Sequence, residues 1–118
     1  MVSIIMPVYN SEKYVSDAIV SVCNQSYKNW ELLIVNDGST DQSSIIIDDY
    51  AKKDSRIKVF HRNNEGVSMA RNYALDKCNG DYITFIDSDD VYHPELLNKM
   101  MKIFVQNPDC DIFFSKHK

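Results

Sequence analysis

The sequence predicts an α/β fold: a mostly parallel sheet with helices on both faces, three layers in all. Short β-branched apolar runs alternate with amphipathic stretches along almost all of the 118 residues, the signature of βαβ units. Turn clusters, not linkers, separate them, and no internal repeat or low-complexity tract divides the chain. A single domain over 1–118 is therefore expected.

Val2 to Met6 is β-branched and apolar and reads as the first strand, closed by Pro7. Tyr14, Val15, Ala18, Ile19, Val22 and Cys23 then fall on one stripe at about 3.6-residue spacing, a helix. Trp30 to Val35 is a continuous apolar run, the mark of a strand buried on both faces, and it runs into the turn cluster Asn36-Asp37-Gly38. Ser39 followed by Gln42 fits a capping box that opens a helix carrying Ile46, Ile47 and Tyr50. Ile57 to Phe60 is a third strand, and Asn63 to Gly66 a loop. Val67, Ala70, Tyr73 and Ala74 give a third helix, with Asn79-Gly80 as its C-cap. Tyr82 to Ile86 is a fourth strand. Pro94 suits the first position of a helix that packs Leu97, Met100, Met101 and Phe104 and stops at Asn107-Pro108. Asp111 to Ser115 begins a fifth strand. No closing helix follows, so the chain is expected to be part of something larger.

Composition narrows the class. Apolar residues make up 44% and charged residues 25%, near the soluble average, which excludes a disordered tail or a membrane-embedded protein. Net charge is -4 with no basic run, so the footprint of a nucleic-acid partner is missing. No basic flank or long apolar segment marks a leader or a membrane span. Cys23, Cys78 and Cys110 are far apart and odd in number; they read as small buried hydrophobes in a reducing compartment. A cytoplasmic domain is expected.

In such sheets ligands bind beyond the carboxyl ends of the strands, where the strand order reverses. The residues there are Tyr9-Asn10, Asp37-Gly38, His61 to Asn64 and Asp87 to Asp90. In extended chain Asp87 and Asp89 point the same way. Two carboxylates about 6 Å apart repel by roughly 2–3 kcal/mol at an effective dielectric near 20. A divalent cation relieves that repulsion, and oxygen ligands suit Mg²⁺ or Mn²⁺; a hydrated loop with Asp89 or Asp90 capping the next helix is the plainer alternative. Asp37 can accept from the ring N–H of a base or bond a ribose hydroxyl, or it can organise the turn into Gly38. Tyr9 offers a ring to a base or packs at an edge. Arg71 falls near the start of the third helix, where the dipole disfavours a cation unless an anion joins it; pairing with Glu65 or Asp76 is the alternative. His61, His93 and His117 have no ligand-like spacing.

These residues resemble a known family. Val2 to Asn10 resembles the first strand of family-two glycosyltransferases of the GT-A fold, and Leu33-Ile34-Val35-Asn36-Asp37-Gly38-Ser39-Thr40-Asp41 the second-strand motif. Asn64-Glu65-Gly66-Val67-Ser68-Met69-Ala70-Arg71-Asn72 is similar to the N-x-G-x-S-x-A-R-N segment, and Phe85 to Asp90 to the D-x-D motif. The resemblance implies the Rossmann-like nucleotide-binding half of an inverting glycosyltransferase, with a sugar-nucleotide donor, usually a UDP-sugar, and Mn²⁺ or Mg²⁺. It implies that Pro7, Val8 and Tyr9 line the base pocket and that Asp37 contacts the base. Asn64 and Arg71 would lie near the nucleotide, with Asn63 a substitute for Asn64. Asp87 would contact ribose or metal, Ser88 the nucleotide, and Asp89 the metal. A base would deprotonate an acceptor hydroxyl for in-line attack on the anomeric carbon; that base is expected beyond residue 118. Two other readings compete: a non-catalytic interaction module, and a Mg²⁺-dependent phosphoryl-transfer domain of the phosphatase or receiver type.

Overall fold

Among the described residues five strands, β1 (Val2–Val8), β2 (Trp30–Asp37), β3 (Ile57–Arg62), β4 (Tyr82–Phe85) and β5 (Ile112–Phe114), alternate with four helices. The helices are α1 (Val15–Cys23), α2 (Ser43–Lys53), α3 (Val67–Lys77) and α4 (Leu96–Gln106) in the computed structural model, which describes residues 1–106 and 112–114. The Asn107-Pro108 stop, Cys110, Asp111, Ser115 and His117 lie outside the described residues. Every strand pairing is parallel, in the order β3-β2-β1-β4-β5. A receiver-type domain has the order 2-1-3-4-5, whereas 3-2-1-4-5 is the start of the dinucleotide-binding order; the topology sets the receiver reading aside. The order reverses between β1 and β4.

Side-chain alternation sends β1 and β2 residues to two separate cores. Val2, Ile4, Met6 and Val8, with Leu32 and Ile34, pack with α1, α2 and α4 through Ala18, Ile19, Ile47, Leu97, Met100 and Phe104. Ile5, Leu33 and Val35 pack on the other face against Ala70 and Ala74 of α3. Small residues four apart let α3 lie close to the sheet. All eight residues of β2 are buried, as expected for a strand with helices on both faces. No helix among the described residues is long and apolar enough to cross a membrane.

Pro7 does not close β1: the strand continues to Val8, paired Pro7 to Val35 and Val8 to Asn36. The Ile5 carbonyl accepts from Ile86 N at 3.0 Å, so Ile5, and Pro7 two residues on, aim their peptide groups toward β4. β4 has ended there, and the missing proline N–H removes no ladder bond. Three helix boundaries also differ from expectation. The Ser39–Gln42 capping box does not form; α2 starts at Ser43, whose N–H donates to Asp41 Oδ1 at 2.9 Å. α3 ends at Lys77 with Cys78 extended (ψ 149°), so Asn79-Gly80 is not its cap. Pro94 lies in the turn before α4, two residues ahead of its start. Tyr14 leaves the α1 stripe and is 55% exposed, while Val15, Ala18, Ile19 and Val22 are buried. Cys23 and Cys78 are half-buried free thiols rather than core residues.

At the amino end of the sheet one carboxylate joins four segments. Glu31, 2% exposed, accepts from Ser3 Oγ at 2.6 Å, Lys58 Nζ at 2.8 Å and Asn79 N at 2.6 Å. Gly80 N donates to Ser3 Oγ at 2.7 Å. A Cβ on Gly80 would lie 2.5 Å from Ser3 Oγ and 2.7 Å from the Met1 carbonyl, which explains the glycine by close approach rather than by a helix cap. Burial pushes the Glu31 carboxyl up, but the bonds from Lys58, Ser3 and Asn79 outweigh it and hold the group below its ordinary value.

A carboxyl whose folded value is depressed stabilises the fold above its unfolded pKa and loses that contribution as pH falls through the folded value. Chemical denaturation of the native chain should therefore lose stability below about pH 4.3 by a margin that Glu31→Gln does not show. At pH 7 Glu31→Gln should cost about 1–3 kcal/mol. Gly80→Ala should lower the unfolding free energy measured by denaturation by a comparable amount, about 1–3 kcal/mol of overpacking.

Candidate functional site

Four loops at the carboxyl ends of the strands enclose one cavity of about 560 Å³ beside the point where the strand order reverses. Pro7, Val8, Tyr9, Asn10, Ser11 and Tyr14 line it from β1 and the following loop, Asp37 from β2, Asn64, Gly66 and Val67 from the β3–α3 loop, and Asp87, Ser88 and Asp89 from the segment after β4.

Asp37 holds the third loop in place. It is 6% exposed, and its Oδ1 accepts from Glu65 N at 2.8 Å and its Oδ2 from Gly66 N at 3.0 Å. The turn it organises is thus the distant Glu65–Gly66 corner, not the adjacent one. Gly38, at φ 73°, fits against Asn64: a Cβ there would come within 2.8 Å of the Asn64 nitrogen. Gly66, at φ 100°, starts α3 in a backbone region that side chains disfavour.

The first loop is tied to the second. Asn10 is in the left-handed region at φ 48°, which asparagine tolerates. Its N–H donates to Ser39 Oγ at 3.0 Å, and its Oδ1 accepts from Thr40 N at 2.7 Å. Glu12 N donates to Asp41 Oδ2 at 3.2 Å and Glu12 Oε1 accepts from Gln42 N at 2.9 Å, so each of the two segments caps the other. Partial burial pushes the Asp41 carboxyl up, yet the bonds from Ser43 and the Glu12 amide prevail and keep it below its usual range. Ser11 then links the first loop to the acidic one through a 2.6 Å hydroxyl contact with Ser88.

The acidic segment is a turn and not the extended stretch expected from sequence: Asp90 N donates to the Asp87 carbonyl at 3.0 Å. The turn brings a carboxylate oxygen from each of Asp87, Asp89 and Asp90 within 4.8 Å of one another. Three carboxylates this close suit a hard divalent cation, and the residues present fit one. Tyr92 anchors the turn from below the surface. It is 4% exposed, its hydroxyl donates to the Phe85 carbonyl at 2.7 Å, and its N–H donates to Ser21 Oγ at 3.0 Å. Burial pushes the Tyr92 phenol well above its ordinary value; Thr84 opposes this, and Asp87 and Asp90 add to it.

Of the residues singled out from sequence, Pro7, Val8, Tyr9, Asp37, Asn64, Asp87, Ser88 and Asp89 come together on this cavity. Asn63 does not; it lines a separate shallow cleft with His61, Arg62 and Glu65. Arg71 is in the second turn of α3, and it pairs with neither Glu65 nor Asp76. Its Nη2 lies 3.5 Å from Asp87 Oδ1, and its buried Nε has no hydrogen-bond partner among the described residues. Asp90 joins the acidic group although sequence offered it only as a cap. Ser11, Tyr14, Gly66 and Val67 also line the cavity, and the sequence did not single them out. The signal available for Tyr14 was its position one residue before the first buried residue of α1, where a side chain has already left the core stripe.

Comparison with known proteins agrees with this geometry. The family model described as "Glycosyl transferase family 2" matches residues 3–116. An uncharacterized glycosyltransferase of Haemophilus influenzae is 49% identical over 108 residues, 91% of this chain and 43% of that protein. Glycosyltransferase GlyG of Streptococcus pneumoniae is 33% identical over 118 residues, 99% of this chain and 39% of that protein. The crystal structure of S. aureus TarS 1-349 in complex with UDP-GlcNAc superposes with a TM-score of 0.84 at 33% identity, covering 91% of this chain and 32% of TarS 1-349. The chain thus spans less than half the length of these relatives. With the topology, the motif residues gathered on one cavity and the match over nearly its whole length, this chain belongs to glycosyl transferase family 2.

Proposed function

We propose that this chain is the donor-binding part of an inverting glycosyltransferase, holding a nucleoside-diphosphate sugar, UDP-linked, with a divalent cation, Mn²⁺ or Mg²⁺. The observation that carries the reading is the single cavity that collects Tyr9, Asp37 and Asn64 from three strand ends together with the acidic turn from a fourth. TarS, at 33% identity, has been solved with UDP and with UDP-GlcNAc, which supports a uridine nucleotide.

In this reading Pro7, Val8 and Tyr9 form the wall for the base. Asp37 has each oxygen bonded once by a backbone N–H, and a carboxylate oxygen has a further lone pair for a ring N–H. Asn64 lies against the nucleotide, and Arg71 faces the diphosphate through its contact with Asp87. Ser88 and Asp87 meet ribose or phosphate, and Asp87 and Asp89, with Asp90 beside them, hold the cation. Bound there, the cation would neutralise charge on the leaving diphosphate. The carboxylates lining the cavity are committed to loop bonds, to Arg71 or to the acidic group. We therefore place the base that takes the acceptor hydroxyl's proton outside these 118 residues, along with the acceptor site for a glycan, lipid-linked or protein hydroxyl.

Calorimetric titration with UDP should show binding that strengthens with Mn²⁺, and Asp89→Ala should lose the metal-dependent part, about tenfold or more in affinity. A chain that is folded by circular dichroism yet ignores UDP, GDP and dTDP with either metal would sink the reading. Incubated with a UDP-sugar and an acceptor, the 118-residue chain should give no appreciable transfer; clear turnover would show that the base lies within it.

A further inference from the structure

His61, on β3, does not line the cavity, and its spacing in the sequence is not that of a metal ligand. It is 46% exposed at its side chain, yet both of its ring nitrogens are engaged. Nε2 is 2.9 Å from Asp48 Oδ1 on α2, and Nδ1 is 3.0 Å from Asn36 Nδ2 on β2. Asn36 is 3% exposed, with its Nδ2 also donating to Ser44 Oγ at 2.8 Å and its Oδ1 accepting from Ser39 N at 3.1 Å. A backbone N–H can only donate, so Ser39 fixes which end of the Asn36 amide is oxygen. The other end, an NH₂ group, then faces His61 and needs a lone pair there. It follows that Nδ1 is bare and the proton is on Nε2, where Asp48 accepts it.

Ser39 does not stop at Asn36. Its hydroxyl accepts from Asn10 N at 3.0 Å, and the next residue, Thr40, donates its N–H to Asn10 Oδ1 at 2.7 Å. Asn10 is the left-handed corner directly after Tyr9. An unbroken relay thus runs from Asp48 through His61, Asn36 and Ser39 to the corner that presents Tyr9 to the cavity.

We infer that His61 is a positioning residue of the nucleotide cavity: its neutral imidazole fixes the Asn36 amide, and through Ser39 the Asn10 corner beside Tyr9. Protonating Nδ1 sets two donors face to face. The amide can relieve this by turning over only if it drops Ser39 N, which releases the corner. The charged groups around the imidazole are Asp48 on α2, and Arg62 and Glu65, which pair with each other at 3.3 Å and share the cleft beside it. The consequence for ligand affinity rests on the donor-binding reading; the relay does not.

Two variants separate the relay from simple support. His61→Phe removes both ring bonds. Asn36→Asp offers only acceptors, so it should favour imidazolium and reverse the pH demand. UDP affinity with Mn²⁺ should be measured from about pH 8 to about pH 5.5, across the range in which imidazole takes up a proton. Taking the native-to-variant ratio cancels the ionisation of UDP itself. The native chain should weaken about three- to tenfold relative to His61→Phe as the pH falls, and Asn36→Asp should move the opposite way. In the unliganded chain, nitrogen NMR at about pH 8 should find Nδ1 bare and Nε2 protonated. The amide signals of Ser39, Thr40 and Asn10 should titrate together with His61. The opposite tautomer, or loop amides indifferent to His61, overturns the inference, as does a pH profile identical in native and His61→Phe. Loop amides that titrate with His61 in a chain that binds no UDP uphold the relay and defeat the donor reading instead.

Discussion

The carboxyl end of β2 carries two polar side chains, Asn36 and Asp37, in a wholly buried strand whose remaining polar residue, Glu31, stands at the opposite end. Buried polar groups must find partners or destabilise the fold, and these two find them in the backbone amides of neighbouring loops. Asp37 takes Glu65 and Gly66; Asn36 takes Ser39. The loops on either side are thereby set by the same hydrophobic strand that organises both cores. Removing the apolar register of β2 would release the cavity walls as well as the sheet, because the loops are fastened to the strand end and not to one another alone.

The topology explains why the fastening happens at this spot. β1 lies between β2 and β4, so the crossovers leave in opposite directions and a crevice opens above β1. The loop that follows β1 is the one contributing most residues to the cavity wall. It is bonded to the second loop through Asn10 and to the acidic turn through Ser11 and Ser88. At the other end of the sheet Glu31 does a comparable job, joining β1, β3 and the α3–β4 connection through Ser3, Lys58 and Asn79. One end is filled by its own side chains; the other is left open.

The alternation of strands and helices was legible because periodicity follows from burial, and burial is what the apolar residues of β1, β2 and α1 report. Most residues of the cavity were legible for a related reason: they stand directly after strands, and topology sends those positions to one edge. Boundaries were harder. Ser39 and Gln42 have the residue types of a capping box, but Ser39 is claimed by Asn10 from another loop, and no local pattern announces that competition. Gly80 looks like a helix cap and is instead required by the nearness of Ser3 and Met1, residues far away in the chain. Asp90 and Tyr14 were misplaced because a turn and a helix start each rotated a side chain away from the direction its spacing implied. Long-range contacts, then, mark where the reading ran out.

Asp37 shows what such contacts do to recognition. A carboxylate in solution spins about its last bond and reorients to suit whatever approaches. With one oxygen held by Glu65 N and the other by Gly66 N, this group has given up that rotation during folding. A visitor offering an N–H meets an acceptor already aimed, with no ordering left to lose. One offering a lone pair meets repulsion that the carboxylate cannot turn away from.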